Sequence, residues 1–105
     1  MASSKEYVAF VLDQCKELTA RAMMGEYVLY YRGKVIGGIY DNCFLIKPTP
    51  SAQLMLPDAP RQIPYPGARE MLVVENAEDR IMLGQLFAAM YDELPQPKKR
   101  SGKTR

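Results

Sequence analysis

The chain contains no histidine, no tryptophan and only two cysteines among its 105 residues. Without histidine there is no Ser/His or Cys/His nucleophile pair, no unperturbed side chain that titrates near neutral pH, and no His-containing metal site. Two cysteines are too few for a four-thiolate zinc. Long apolar runs are missing as well: none approaches the ~20 residues needed to cross a bilayer. The stretch from Tyr7 to Leu12 is short and is followed by Asp13, which is unlike a secretory h-region. A cytoplasmic protein without membrane association is expected, and in a reducing compartment Cys15 and Cys43 are expected as free thiols.

What is present suits a single core. Hydrophobic residues make up 48% and charged residues 25%, the profile of an ordinary globular domain. A chain of this length buries roughly 60 to 70% of its unfolded surface, so one core forms without staples. The formal charge of +2 is unevenly placed. From Lys98 onward Lys98, Lys99, Arg100, Lys103 and Arg105 hold five of the 14 basic residues, leaving nine basic against 12 acidic before them and a body at −3. A nucleic-acid-binding domain normally concentrates Lys and Arg on its folded surface. Those five tail residues are therefore the candidate nucleic-acid contacts, and any such contact is expected to be weak and non-specific. The expected division is a domain over 1–96 and a disordered basic tail over 97–105.

Along the chain, Ser3 and Glu6 have capping-box spacing, and Val8, Val11, Leu12, Cys15 and Leu18 continue as one apolar helical stripe. Tyr27 to Tyr31, Val35 to Tyr40 and Cys43 to Lys47 are rich in β-branched and aromatic residues and are separated by the turn signals Arg32-Gly33 and Asp41-Asn42. They predict a three-strand meander. Thr49-Pro50 predicts a short second helix that Pro57 stops. Ile63 to Tyr65 and Glu70 to Val74 flank Pro66-Gly67 as a hairpin, with Pro64 putting its strand at an edge or bulge. Asn76 is placed to cap a last helix on which Leu83, Leu86, Phe87, Met90, Tyr91 and Leu94 recur at helical spacing, ended by Pro95 and Pro97. The expected fold is α+β and two-layered: an antiparallel five-stranded sheet covered by helices, in the order α-β-β-β-α-β-β-α, with Val8, Leu12, Leu18, Leu83, Phe87 and Met90 in the core.

Few residues point to chemistry. Cys15 sits on the apolar stripe as a small hydrophobe, and Cys43 has no histidine to activate it. Nothing in the spacing of Glu26, Asp41, Glu70 and Glu75 requires an acid and base pair. Gly37-Gly38 has a strand on both sides and reads as a bulge or close contact, not a phosphate loop. Gly84 inside a helix suggests close approach to the sheet. Tyr30 and Tyr31 are strand neighbours and point to opposite faces, so at least one faces outward, where an aromatic can anchor a partner or stack on a base.

Arg21-Ala-Met-Met-Gly25, Leu29-Tyr-Tyr-Arg-Gly33, Gly37-Gly-Ile-Tyr-Asp41 and Phe44-Leu-Ile-Lys47 together resemble the amino-terminal domain of the TfoX/Sxy competence-regulator family, over about residues 5–95. The resemblance implies a bacterial cytoplasmic protein with a sheet-and-helix fold similar to secretion chaperones. It also implies no known enzymatic activity and points to no catalytic residue; no cofactor or metal is expected. Members linked to competence are similar to transcriptional co-activators that work with a DNA-bound regulator and commonly add a helical carboxy-terminal domain. A non-enzymatic regulatory module is expected, whose protein partner meets the segment around Arg21, Met24, Gly25, Glu26 and Tyr27 and the exposed Tyr30. The alternative is a weakly nucleic-acid-associated protein using its basic tail and outward tyrosines.

Overall fold

The computed structural model describes residues 3–95, so the basic residues expected to meet nucleic acid lie outside the described part. Helix α1 (Lys5–Asp13) leads into strands β1 (Leu18–Met23), β2 (Glu26–Tyr31), β3 (Lys34–Tyr40) and β4 (Cys43–Ile46). Helix α2 (Pro50–Met55), strands β5 (Arg61–Gln62) and β6 (Met71–Val73) and helix α3 (Arg80–Tyr91) follow. The strands form one antiparallel sheet in the order β1-β2-β3-β4-β6-β5. The fold is α+β as expected, with six strands where five were predicted.

The added strand is β1. The apolar spacing of the sequence continues the helical stripe through Leu18, but α1 stops at Asp13, and Leu18 to Met23 pairs with β2 along its whole length. What recruits it is the turn. Met24 and Gly25 have φ of 54° and 88°, Arg32 and Gly33 have 51° and 88°, and Asp41 and Asn42 have 53° and 60°. Each of the three meander turns therefore has two consecutive left-handed residues, the type I′ geometry whose twist matches that of paired strands. The sequence signal for the first was missed because Leu18-Thr-Ala-Arg-Ala-Met23 is poor in β-formers apart from Thr19.

Other boundaries moved for local reasons. Ser4, not Ser3, caps α1 by accepting from the Tyr7 amide at 3.1 Å. Asp79, not Asn76, caps α3 by accepting from the Met82 amide at 3.0 Å. The helix ends at Tyr91, although Leu94 beyond it is still buried. Pro64 and Pro66 have no N–H to donate, so the expected strand Ile63 to Tyr65 does not form; pairing is confined to Arg61 and Gln62 opposite Leu72 and Met71, at the sheet edge. Thr49 caps α2 with Pro50 in its first turn, as its sequence indicates.

Strand alternation divides the sheet into two faces. Leu29, Tyr31, Ile39, Phe44, Ile46 and Leu72 join Val8 and Val11 of α1, Ala52 of α2 and Leu83, Leu86, Phe87 and Met90 of α3 in one buried cluster. All three helices thus contribute to the layer on one side. Of the six core residues expected, five are buried and Leu12 is half-buried against the cluster. Tyr31 points inward between Phe87 and Tyr91, with ring centroids 5.6 and 6.1 Å away, while Tyr30 turns to the opposite face. Gly37-Gly38 meets the close-contact expectation, since a Cβ on Gly37 would run into the Leu45 carbonyl oxygen; the bulge itself falls one residue earlier, at Ile36, where the register shifts between Leu29 and Tyr30. Gly84 does not serve close packing, since a Cβ there would meet nothing within 4 Å.

Candidate functional site

The face of the sheet away from the helices carries Thr19, Arg21 and Met23 from β1, opposite Tyr30, Val28 and Glu26 of β2. Val35 pairs with Tyr30 and continues this face. No helix covers it. The segment before β6 folds against its far side, so that Tyr65 meets Tyr40 at a centroid distance of 6.1 Å. Between them and the β-strands lies a groove of about 620 Å³, floored by Val28 and Val35 and bordered by Met23, Tyr40, Tyr65 and Met71, with Lys47 at the end near Pro48 and Thr49. Burial of the Tyr40 phenol, together with the neighbouring Tyr65 and Glu26, holds its pKa above the usual tyrosine value. Burial pulls the Lys47 ammonium below the usual lysine range.

The candidate partner contacts are only partly brought together. Arg21 and Tyr30 share the open face, and Met24 and Gly25 project at the adjoining hairpin tip, where Met24 is 99% exposed. Tyr27 pairs with Ala22 on the helix side and packs against the core. Glu26 is committed internally. Its carboxylate accepts from the Ser3 hydroxyl at 2.7 Å, the Ser3 amide at 3.2 Å and the Asp41 amide at 3.1 Å, tying the start of α1 to two hairpin turns.

Strand β1 is also a sheet edge. A two-residue loop closes on a hydrogen-bonded pair, here Met23 with Glu26, and hydrogen-bonded pairs then alternate through Arg21 and Thr19. The donation from the Arg32 amide to the Glu17 carbonyl at 3.2 Å fits that phase. The N–H and C=O groups of Ala20 and Ala22 consequently point away from β2. They form an open ladder beside exposed Met23 and Met24. Sequence reading missed this edge because it missed β1 itself.

The remaining chemical candidates do not assemble. Cys15 lies beyond the end of α1, half-buried against the core, and Cys43 is half-buried at the start of β4; both are free thiols. Glu70 pairs loosely with Arg61 at 3.9 Å, while Asp41 and Glu75 stand exposed. Among the described residues no three Cys, Asp or Glu side chains are grouped as a metal ion requires, and no helix is long and apolar enough to cross a membrane.

These features define a small α+β module with a sheet face that no helix covers and an open edge. The chain belongs to the same family as an uncharacterized 12.7 kDa protein in the trpE 5′ region of Spirochaeta aurantia: the two are 37% identical over 109 aligned positions, which cover 100% of this chain and 95% of that protein. No family model matches the chain. No solved structure matches it either.

Proposed function

We propose that this chain is a non-enzymatic, TfoX-like regulatory module that docks a protein partner by strand addition at β1. The carrying observation is the open ladder of Ala20 and Ala22 next to Met23, which is 51% exposed, and Met24, which is almost wholly exposed. Backbone pairing supplies affinity in such docking, and alternate side chains supply specificity. Arg21, the cation of the open face on this strand, selects an acidic residue on the partner strand. Polarizable, adaptable methionines suit an apolar residue beside it. The family resemblance supports a partner that is itself a DNA-bound transcription regulator.

The test uses Ala22→Pro. The proline removes an N–H that β2 does not use, so the fold is expected to persist while the added strand loses a hydrogen bond and meets a steric block. Wild-type and Ala22→Pro chains are compared by cross-linking and mass spectrometry in native extract. The expected result is a transcription regulator cross-linked through Arg21 to Gly25 in the wild type and lost in the variant. Undiminished capture by the variant, or a wild-type chain that forms a β1-to-β1 dimer by light scattering in place of a mixed complex, overturns the proposal.

A further inference from the structure

The groove on the open face has a charge pattern that strand docking does not use. Two acids line it: Glu93 is engaged, accepting from the Ser51 hydroxyl at 2.6 Å and the Ser51 amide at 3.0 Å, and Glu70 is loosely paired with Arg61 at 3.9 Å. Two cations line it, and neither Lys47 nor Arg69 forms an ion pair or side-chain hydrogen bond among the described residues. Lys47 follows Phe44-Leu-Ile on β4, and its own register continues opposite Met71, so its ammonium is set at the rim of an apolar floor. From Val35 to Tyr40 the strand runs about 16 Å, at ~3.3 Å per residue. Lys47 stands at one end of that length, its amide donating to the Ile36 carbonyl at 2.9 Å, Tyr40 with Tyr65 stands at the other, and Val28, paired with Gly38, lies between. The volume of about 620 Å³ falls within the ~300–1,000 Å³ of small-molecule sites.

We infer that this groove is a binding site for an organic anion with a flat apolar body. Its acid group lies between Lys47 and Arg69, its body lies over Val28 and Val35, and its far end meets Tyr40 and Tyr65. A buried anion needs a partner to offset its lost hydration. The half-buried ammonium supplies it, and the anion in turn replaces hydration that burial has already taken from Lys47. Two tyrosines with rings tilted by 58° give an aromatic body both apolar area and edge contacts. Neither acid has to be displaced.

The probe is anilinonaphthalene sulfonate, with phenylnaphthylamine as the neutral molecule of similar shape, both titrated by fluorescence into the full chain at neutral pH. Near-ultraviolet circular dichroism is monitored to establish native packing. The expected result is saturable binding of the sulfonate about tenfold or more tighter than the amine, the effect of one charge-assisted contact. Lys47→Gln and Arg69→Gln are each expected to weaken that preference and leave the amine within about twofold, the double variant to remove it, and Lys47→Arg to keep it. Amide shifts on sulfonate titration are expected at Val28, Val35 and Met71. Equal affinity of the wild-type chain for the two probes overturns the assignment without recourse to any variant, as do shifts confined to other parts of the molecule. The Ala22→Pro chain keeps the groove, so its sulfonate affinity is expected to match wild type and the two readings fail separately.

Discussion

The ammonium of Lys34, on a residue only 5% exposed, donates to the carbonyl oxygen of Tyr91 at 2.9 Å and sits 4.1 Å from the centre of its ring. The contact joins the β2–β3 turn to the carboxy end of α3, where the last carbonyls lack helical donors and the dipole favours a cation. The aliphatic stem of the lysine fills space beside Tyr31, which already packs edge-on against Tyr91. One side chain thereby satisfies a helix end, a π-face and the margin of the core.

Lys34→Met keeps most of the stem and deletes the donor. The Tyr91 carbonyl still accepts from the Leu94 amide at 3.3 Å, so the variant is expected to lower unfolding free energy by about 1–3 kcal/mol through loss of one charge-assisted hydrogen bond and a cation–π contact. The measurement is a urea titration of both chains. An unchanged midpoint with an unchanged slope would show that water replaces the ammonium at no cost.

Gly38 makes a sharper demand. A Cβ there would lie 2.5 Å from Cε2 of Tyr40 and 2.7 Å from the Tyr27 carbonyl oxygen, and the second contact is to strand backbone that cannot rotate aside. Gly38→Ala is expected to cost about 1–3 kcal/mol by overpacking. It is also expected to lift the Tyr40 ring, which would show as a changed Tyr40–Tyr65 cross-peak in NMR. Retained stability with retained ring contacts would contradict the tight approach of β2 and β3.

Much of this was legible along the chain. Phe87, Leu83 and Met90 carry a helical repeat that only burial explains, and Arg32-Gly33 fixes a hairpin by the conformations it tolerates. The edge strand was not legible, because Leu18 to Met23 is recruited by pairing with Tyr27 to Tyr31 and not by its own propensity. The groove was hidden for a related reason. Lys47 and Met71 are 24 positions apart and become neighbours only when β6 pairs with β4, while the prolines at 64 and 66 stop Tyr65 from continuing a strand and free it to meet Tyr40. Lys34 reads in sequence as a turn charge; its burial depends on where α3 ends.

Glu93 sets one pH dependence. The Ser51 hydroxyl, then the Ser51 amide, hold its carboxyl below the usual value near 4.5, with a smaller contribution from Thr49. A lowered folded-state pKa means that the unfolded chain binds the proton more readily, so the bridge between the turn after α3 and the start of α2 contributes in full above the usual carboxylate range. The contribution disappears as pH falls from there through the lowered value. Ser51→Ala is therefore expected to reduce thermal stability at neutral pH and to match wild type in strong acid. Parallel melting curves with a constant offset across that acid range would show that the serine acts by packing and not through the carboxylate.

The tail decides whether the nucleic-acid reading survives. Lys98, Lys99, Arg100, Lys103 and Arg105 lie outside the described residues, but their number bounds what they do. Five cations neutralise at most about five phosphates, so the logarithm of affinity for duplex DNA falls with the logarithm of salt by no more than about 4.5 per unit. Such binding is sequence-blind and fades toward physiological salt. Removing 98–105 leaves nine basic against 12 acidic residues, a body of −3 that repels a polyanion. The expected outcome is that any DNA association of the full chain at low salt disappears in the truncated one, while capture of the protein partner through β1 is retained. Sequence-selective binding by the truncated chain at about 150 mM salt, where exposed charges are screened beyond roughly 8 Å, would mean that the folded domain itself reads DNA, and the partner-docking function proposed for β1 would have to give way to it.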